Sequence, residues 1–217
     1  MLRRRIARCL LFALFQALAV VPTYAADKLV YLQPLQPAPD AAAIAGVITA
    51  LRAFYPLEVR VLPVVAMPAA AWYPPRRRWR AERLLDWLAA RLPADGAKIM
   101  GLTTADISTT KDAVQDWGVL GLGTLDGKSC VISTFRTRRG VSTATARERL
   151  AKVAVHEAGH TFSLEHCPTT GCLMEDAGGK VATVDSEVDL CPKCRQKLLQ
   201  RGVVVPDRGA LPWRPTR

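Results

Sequence analysis

His156-Glu157-Ala158-Gly159-His160-Thr161-Phe162-Ser163-Leu164-Glu165-His166 holds every histidine in the 217-residue chain. Three histidines in one short window, at metal-ligand spacing, point to a metal. His156 and His160 are four residues apart, so a helix places both rings on one face. Glu157 follows the first of them and can reach a water on the same metal. This is the H-E-x-x-H pattern of zinc hydrolases. His166 lies six residues past His160, too far round to come from the same helix, so the chain must turn and bring it back.

Working outward, Cys167 follows the third histidine directly. Cys172 and Met174 come next, and Cys191-Pro192-Lys193-Cys194 closes the set. The order H-E-x-x-H-x(5)-H-C-x(4)-C-x-M-x(16)-C-x-x-C resembles the archaemetzincin branch of the metzincin metallopeptidases, tightly over residues 147–200. Two looser matches agree with it. Tyr73 to Leu85 resembles the family's Tyr-Pro-x-Arg…Leu-Leu segment, and Thr103 to Ile107 resembles its Thr-x-x-Asp turn. No catalysis is assigned to either.

The resemblance implies a mixed α/β (α+β) zincin fold. It has a twisted mixed sheet, an edge strand over the cleft, an active-site helix and a C-terminal helix. It implies catalytic zinc on His156, His160 and His166, Glu157 as general base, and Met174 as the Met-turn residue beneath the site. The edge strand falls by order on Val119 to Gly123. Gly121, Leu122 and Gly123 are the candidate substrate-binding residues there, glycine letting another backbone approach closely. A plain glycine-containing hairpin arm fits the same residues. No tyrosine follows Tyr73, which excludes a downstream tyrosine ligand.

Chemistry follows from the donors. Three neutral imidazoles leave zinc doubly charged with a position open for water, whose pKa falls toward about 7. A carboxylate beside the first ligand accepts the water proton and passes it to the leaving amine. This describes a peptidase acting on peptide or protein substrates. The alternative from another class is a catalytically weak zinc-binding module that recognises peptides or a partner at the same cleft. Ser163 gives that alternative room. Metzincins carry glycine there, and serine in a left-handed turn costs about 1 kcal/mol. A side-chain hydrogen bond is expected to help hold the turn.

The N-terminus reads as a secretory signal peptide over residues 1–25. Arg3, Arg4, Arg5 and Arg8 form a basic region, Leu10 to Val21 an apolar run too short to span a bilayer, and Ala25 the small residue at the cut. A secreted or periplasmic protein with no stable membrane insertion after cleavage is the expectation. Residues 26–202 then form one catalytic domain and 203–217 a C-terminal tail. Cleavage removes four arginines and no acid, taking the formal net charge from +11 to +7. The basic runs at Arg76 to Arg80 and Arg136 to Arg139 read as solvated faces. Nothing resembles a nucleic-acid module.

Five cysteines remain after Cys9 is removed. In an oxidising compartment, pairs ordinarily mean disulfides. The spacing of Cys167, Cys172, Cys191 and Cys194 instead resembles the two knuckles of a four-cysteine structural zinc site, which would make two zinc ions per chain. Disulfides remain the competing reading, and thiol redox chemistry a more distant one. Cys130, in an apolar strand, reads as a buried free thiol.

Apolar periodicity predicts strands at 29–32, 57–65 and 98–102 and helices from Asp40 to Arg52 and from Arg78 to Leu92. Residues 67–77 read as a proline-rich loop. A hairpin is expected to join 117–125 to 129–136 through Asp126-Gly127. The metal helix spans about 144–164 and the last helix about 185–200.

Overall fold

The computed structural model describes residues 28–206 and 211–213. The expected signal peptide lies outside them. Strand β1 (Leu29–Pro34) is followed by helix α1 (Ala41–Phe54), which the Asp40 carboxylate caps by accepting from Ala43 N at 2.7 Å. β1 then pairs in parallel with β2 (Glu58–Val61) on one side and β5 (Lys98–Thr103) on the other. β5 pairs in parallel with β9 (Ser129–Ser133), and β8 (Gly121–Gly123) adds antiparallel to β9. The sheet order is β2-β1-β5-β9-β8, with β8 at the edge.

Both faces of this sheet are covered, which explains its near-continuous apolar strands. Side chains alternate between the faces. Val30, Leu32, Met100, Leu102 and Ile132 join one core with α1 and α4 (Thr143–Thr161). Leu29, Tyr31, Ile99 and Val131 join a second core with α2 (Ala81–Arg91). Gly101 belongs to the second face, where a Cβ would stand 2.8 Å from Leu88 Cδ1, so a side chain there would have to push the Leu88 side chain aside.

A second sheet was not expected. It runs β3 (Trp72–Tyr73), β4 (Arg78–Arg80), β6 (Ile107–Lys111), β7 (Val114–Val119). It corrects two expectations. The second helix starts at Ala81, because Arg78 to Arg80 pair with β3 and β6. The hairpin joins only β8 to β9, because Val119 pairs with Ile107 in the other sheet, and residues 134–137 form the short helix α3 (Thr134–Thr137).

The basic runs are also not merely solvated. Arg78 donates to Asp106 at 2.8 Å and to Asp116 at 2.9 Å, and Arg136 reaches Asp106 at 3.0 Å. Arg80 is buried and donates to Gln115 O, to Glu82 and to Thr110 Oγ1. These guanidinium forks tie the second sheet together.

The last helix starts later than about 185: α6 spans Pro192–Gln200, with Pro192 in its first turn, the position that tolerates a missing N–H, and a separate short helix α5 (Val181–Ser186) precedes it. The segment expected as a tail returns to the body: Trp213 stacks on Phe54 at 5.4 Å and its indole N–H donates to Val188 O at 3.1 Å. Among the described residues no helix is long and apolar enough to cross a membrane.

Candidate metal centre

α4 positions the first two histidines. Ser142 caps it, its Oγ accepting from Thr145 N at 3.1 Å. At the other end, Leu164 N donates to Gly159 O and Ser163 N to His160 O, both at 2.9 Å. These are the two bonds of a Schellman termination, and they put Ser163 in the left-handed region with φ 67°. The Ser163 hydroxyl donates to Asp126 at 2.5 Å, the side-chain support expected from the sequence.

That turn carries the chain back to His166. The ligand atoms of His156, His160 and His166 all lie within 4.8 Å of one another, and the Nε2 atoms of His156 and His160 are 3.1 Å apart. Zinc–nitrogen bonds of about 2.0–2.1 Å in a tetrahedron separate donors by about 3.3 Å, so the rings fit the metal. Each helical ring is oriented from behind. His156 Nδ1 donates to Leu173 O and His160 Nδ1 to Leu164 O, both at 2.7 Å, leaving Nε2 free of a proton toward the centre. Burial pushes His156 down to about 3 and lowers His160 too, so both are neutral and ready to ligate. His166 is half-exposed, with Asp176 3.9 Å from its Nδ1.

Met174 is fully buried beneath the site. A Cβ on Gly159 would stand 2.5 Å from its sulfur, so the absence of a side chain at Gly159 lets the methionine press against α4 between the two ligands. Leu173, its neighbour, provides the carbonyl that holds His156.

Glu157 is buried and lies against β8. A Cβ on Gly121 would come within 2.6 Å of Glu157 Cγ and Oε1, and one on Gly123 within 2.6 Å of Glu157 O. The glycines are therefore required first by the helix packed beneath the edge strand, a reason different from the backbone approach of a ligand. Burial, and then the like charge of Glu187, push Glu157 up to about 8. A doubly charged cation held by the histidines would pull it back down.

Gly121, Leu122, Gly123, the three histidines and Glu157 line one cavity of 480 Å³. Three further acids line it, Glu165, Asp176 and Glu187, and the last two lie outside the histidine window. Neither has a spacing signal, since both arrive from irregular chain between the metal-binding motifs.

The four cysteines also meet. Cys167, beside His166, faces Cys191 at 3.7 Å, and Cys172 faces Cys194 at 3.7 Å. All four are free thiols with sulfurs within 4.8 Å of one another, which rules out the disulfide reading in this structure. Tetrahedral zinc with bonds of about 2.3 Å holds its sulfurs about 3.8 Å apart, so this set fits zinc as well. The Cys194 thiol and the N–H groups of Cys191 and Met174 hold the Cys172 thiol below its ordinary range, toward the thiolate form that a metal takes. Cys130 is a buried free thiol, as expected.

A model of peptidase family M54 matches residues 47–201. The chain belongs to this family. An archaemetzincin from Haloarcula marismortui is 35% identical over 158 residues, covering 69% of this chain and 87% of that protein. The crystal structure of an archaemetzincin from Archaeoglobus fulgidus, complexed with malonate, superposes with a TM-score of 0.66 at 29% identity, covering 78% of this chain and 99% of that one. The archaemetzincin structure from Methanopyrus kandleri gives a TM-score of 0.70 at 26% identity, covering 84% and 98%. The M54 chain is thus a zinc metallopeptidase with an archaemetzincin fold, acting on peptides.

Proposed function

We propose that Glu157 is the general base of this peptidase, that His156, His160 and His166 hold its catalytic zinc, and that Cys167, Cys172, Cys191 and Cys194 hold a second, structural zinc. The observation that carries the reading is the presence of the buried Glu157 carboxylate in the same cavity as three converging imidazoles, beside the glycines of the edge strand. When bound, zinc supplies a Lewis acid that polarises a carbonyl and lowers the pKa of water.

The chain's own residues do the rest. The Leu173 and Leu164 carbonyls fix the two helical rings so that their Nε2 lone pairs converge. Glu157 Oε accepts the proton of the attacking water and returns it to the leaving nitrogen. Its burial keeps bulk water from competing for that proton. The free edge of β8 offers backbone groups to an extended peptide, which would add as a further strand. The cysteine set joins the loop after His166 to the start of α6, so it fixes the third ligand's loop from behind. The basic, apolar N-terminal sequence supports export by a signal peptide, and hence a secreted or periplasmic enzyme.

Glu157→Ala tests the assignment. The variant should keep the metal content of the wild type and lose cleavage of a diverse peptide library. Equal cleavage by both proteins would place the chemistry elsewhere.

A further inference from the structure

Glu187 is, with Glu157, one of two acids of the cleft that are buried without a hydrogen-bond or ion-pair partner among the described residues. It follows the last turn of α5, where its N–H closes the helix on Thr183 O at 3.1 Å. It is 2% exposed and lines the same cavity as His156 and Glu157. Among the described residues its carboxylate has no hydrogen bond and no ion pair, yet it is not sealed in protein, so it opens on the cavity. An unpaired buried carboxylate is costly to keep.

The charged groups around it do not settle it. Lys152 of α4 acts on it electrostatically, but the ammonium is already bonded to Val184 O at 3.2 Å and to Glu148 at 2.8 Å. Glu175 and Glu157 carry its own sign. The same cavity is also lined by Leu120, Val153 and Val184. Apolar walls leading to a lone carboxylate suit a side chain with an apolar stem and a cationic tip. Val153 and Glu157 are one turn apart on α4, about 6 Å along its axis, comparable to the length of a lysine side chain.

We propose that Glu187 sets the substrate specificity of this peptidase by receiving the ammonium or guanidinium of a lysine or arginine next to the scissile bond. The stem lies along Leu120, Val153 and Val184. An acidic side chain would meet carboxylates of its own sign there, and an aliphatic one would fill the walls but leave Glu187 without a partner. The proposal rests on the peptidase reading, but recognition by Glu187 is separable from turnover.

The test uses the full zinc-loaded chain. Binding is measured with Glu157→Ala, to prevent turnover, on capped hexapeptides that differ only by lysine or norleucine at each successive position. At one position lysine should bind at least tenfold tighter, the size expected for a hydrogen-bonded charge in a buried site. Adding Glu187→Gln should reduce that ratio to about twofold or less. In library digests by the wild type, lysine and arginine should be enriched at one residue flanking the cut, and Glu187→Gln should lose the enrichment while still cleaving. Equal binding of lysine and norleucine at every position, or a lysine preference unchanged in Glu187→Gln, would overturn the proposal. Equal lysine and norleucine affinities overturn it with no variant at position 187 and without turnover, whereas absent cleavage by the wild type would count against the peptidase reading alone.

Discussion

The Ser163 hydroxyl donates a 2.5 Å hydrogen bond to the Asp126 carboxylate, across the turn that delivers His166. That bond holds Asp126 below its ordinary carboxylate range. It also explains how a non-glycine residue sits at φ 67° at the end of the metal helix. Ser163→Ala should lose the bond and keep the strain. Ser163→Gly should lose both. The glycine variant should therefore be the more stable of the two by about 1 kcal/mol, with the tighter zinc binding. Thermal unfolding and zinc competition on the pair read this directly. An alanine variant as stable as the glycine one would remove strain from the account.

Gly121 and Gly123 predict a sharp steric penalty. Alanine at 121 meets Glu157 Cγ and Oε1, the tip of a side chain, whereas alanine at 123 meets the backbone oxygen of Glu157 and His160 Cβ. Gly121→Ala should displace the base and lower kcat with zinc retained. Gly123→Ala has no flexible atom to push aside, so it should separate β8 from α4 and weaken zinc binding too. Kinetics with metal analysis on both variants would show whether the two effects divide this way.

The site was legible because its chemistry is local. Six of the seven proposed ligands fall in three short motifs, His156 to His160, His166-Cys167 and Cys191 to Cys194, and Cys172 lies between the last two. What the sequence concealed is what distant chain contributes. The carbonyls that orient the rings, at Leu164 and Leu173, carry no side-chain signal. Glu187 falls by sequence in the first turn of the last helix, since nothing but Pro192 marks that the helix starts later. The second sheet was missed because β6 and β7 are short, partly exposed strands of mixed polarity, without the alternation that marks a half-buried strand. Arg78 and Arg80 look like surface residues in sequence. Arg78 bonds Asp106 and Asp116, 28 and 38 residues on, and Arg80 bonds Thr110 and Gln115 O, 30 and 35 residues on, beyond any local pattern.

The cysteine cluster predicts two zinc ions per chain by elemental analysis. Cys191→Ser with Cys194→Ser should remove one of them and lower the unfolding temperature, since a structural metal contributes to folding free energy directly. His156→Ala with His160→Ala should remove the other and leave the rest of the fold. One zinc in the wild type, with four thiols open to alkylation, would overturn the four-cysteine site.

Glu187 gives the pH dependence a definite sign. Burial pushes its carboxyl from 4.5 up to about 8, with Lys152 opposing and Glu175 and Cys172 adding to the rise. Between those values the folded state holds a proton that the unfolded state has released, so this group lowers stability as pH rises from about 4.5 through 8. Glu187→Gln removes that contribution. At fixed free zinc, the variant should match the wild type near pH 4.5 and exceed it increasingly up to pH 8, so its curve of unfolding temperature against pH should be flatter. Taking the difference between the two proteins at each pH cancels the titration of the metal ligands, which both share. A constant difference across that range would mean that the carboxylate is already ionised and paired in the folded protein, with Lys152 as its partner.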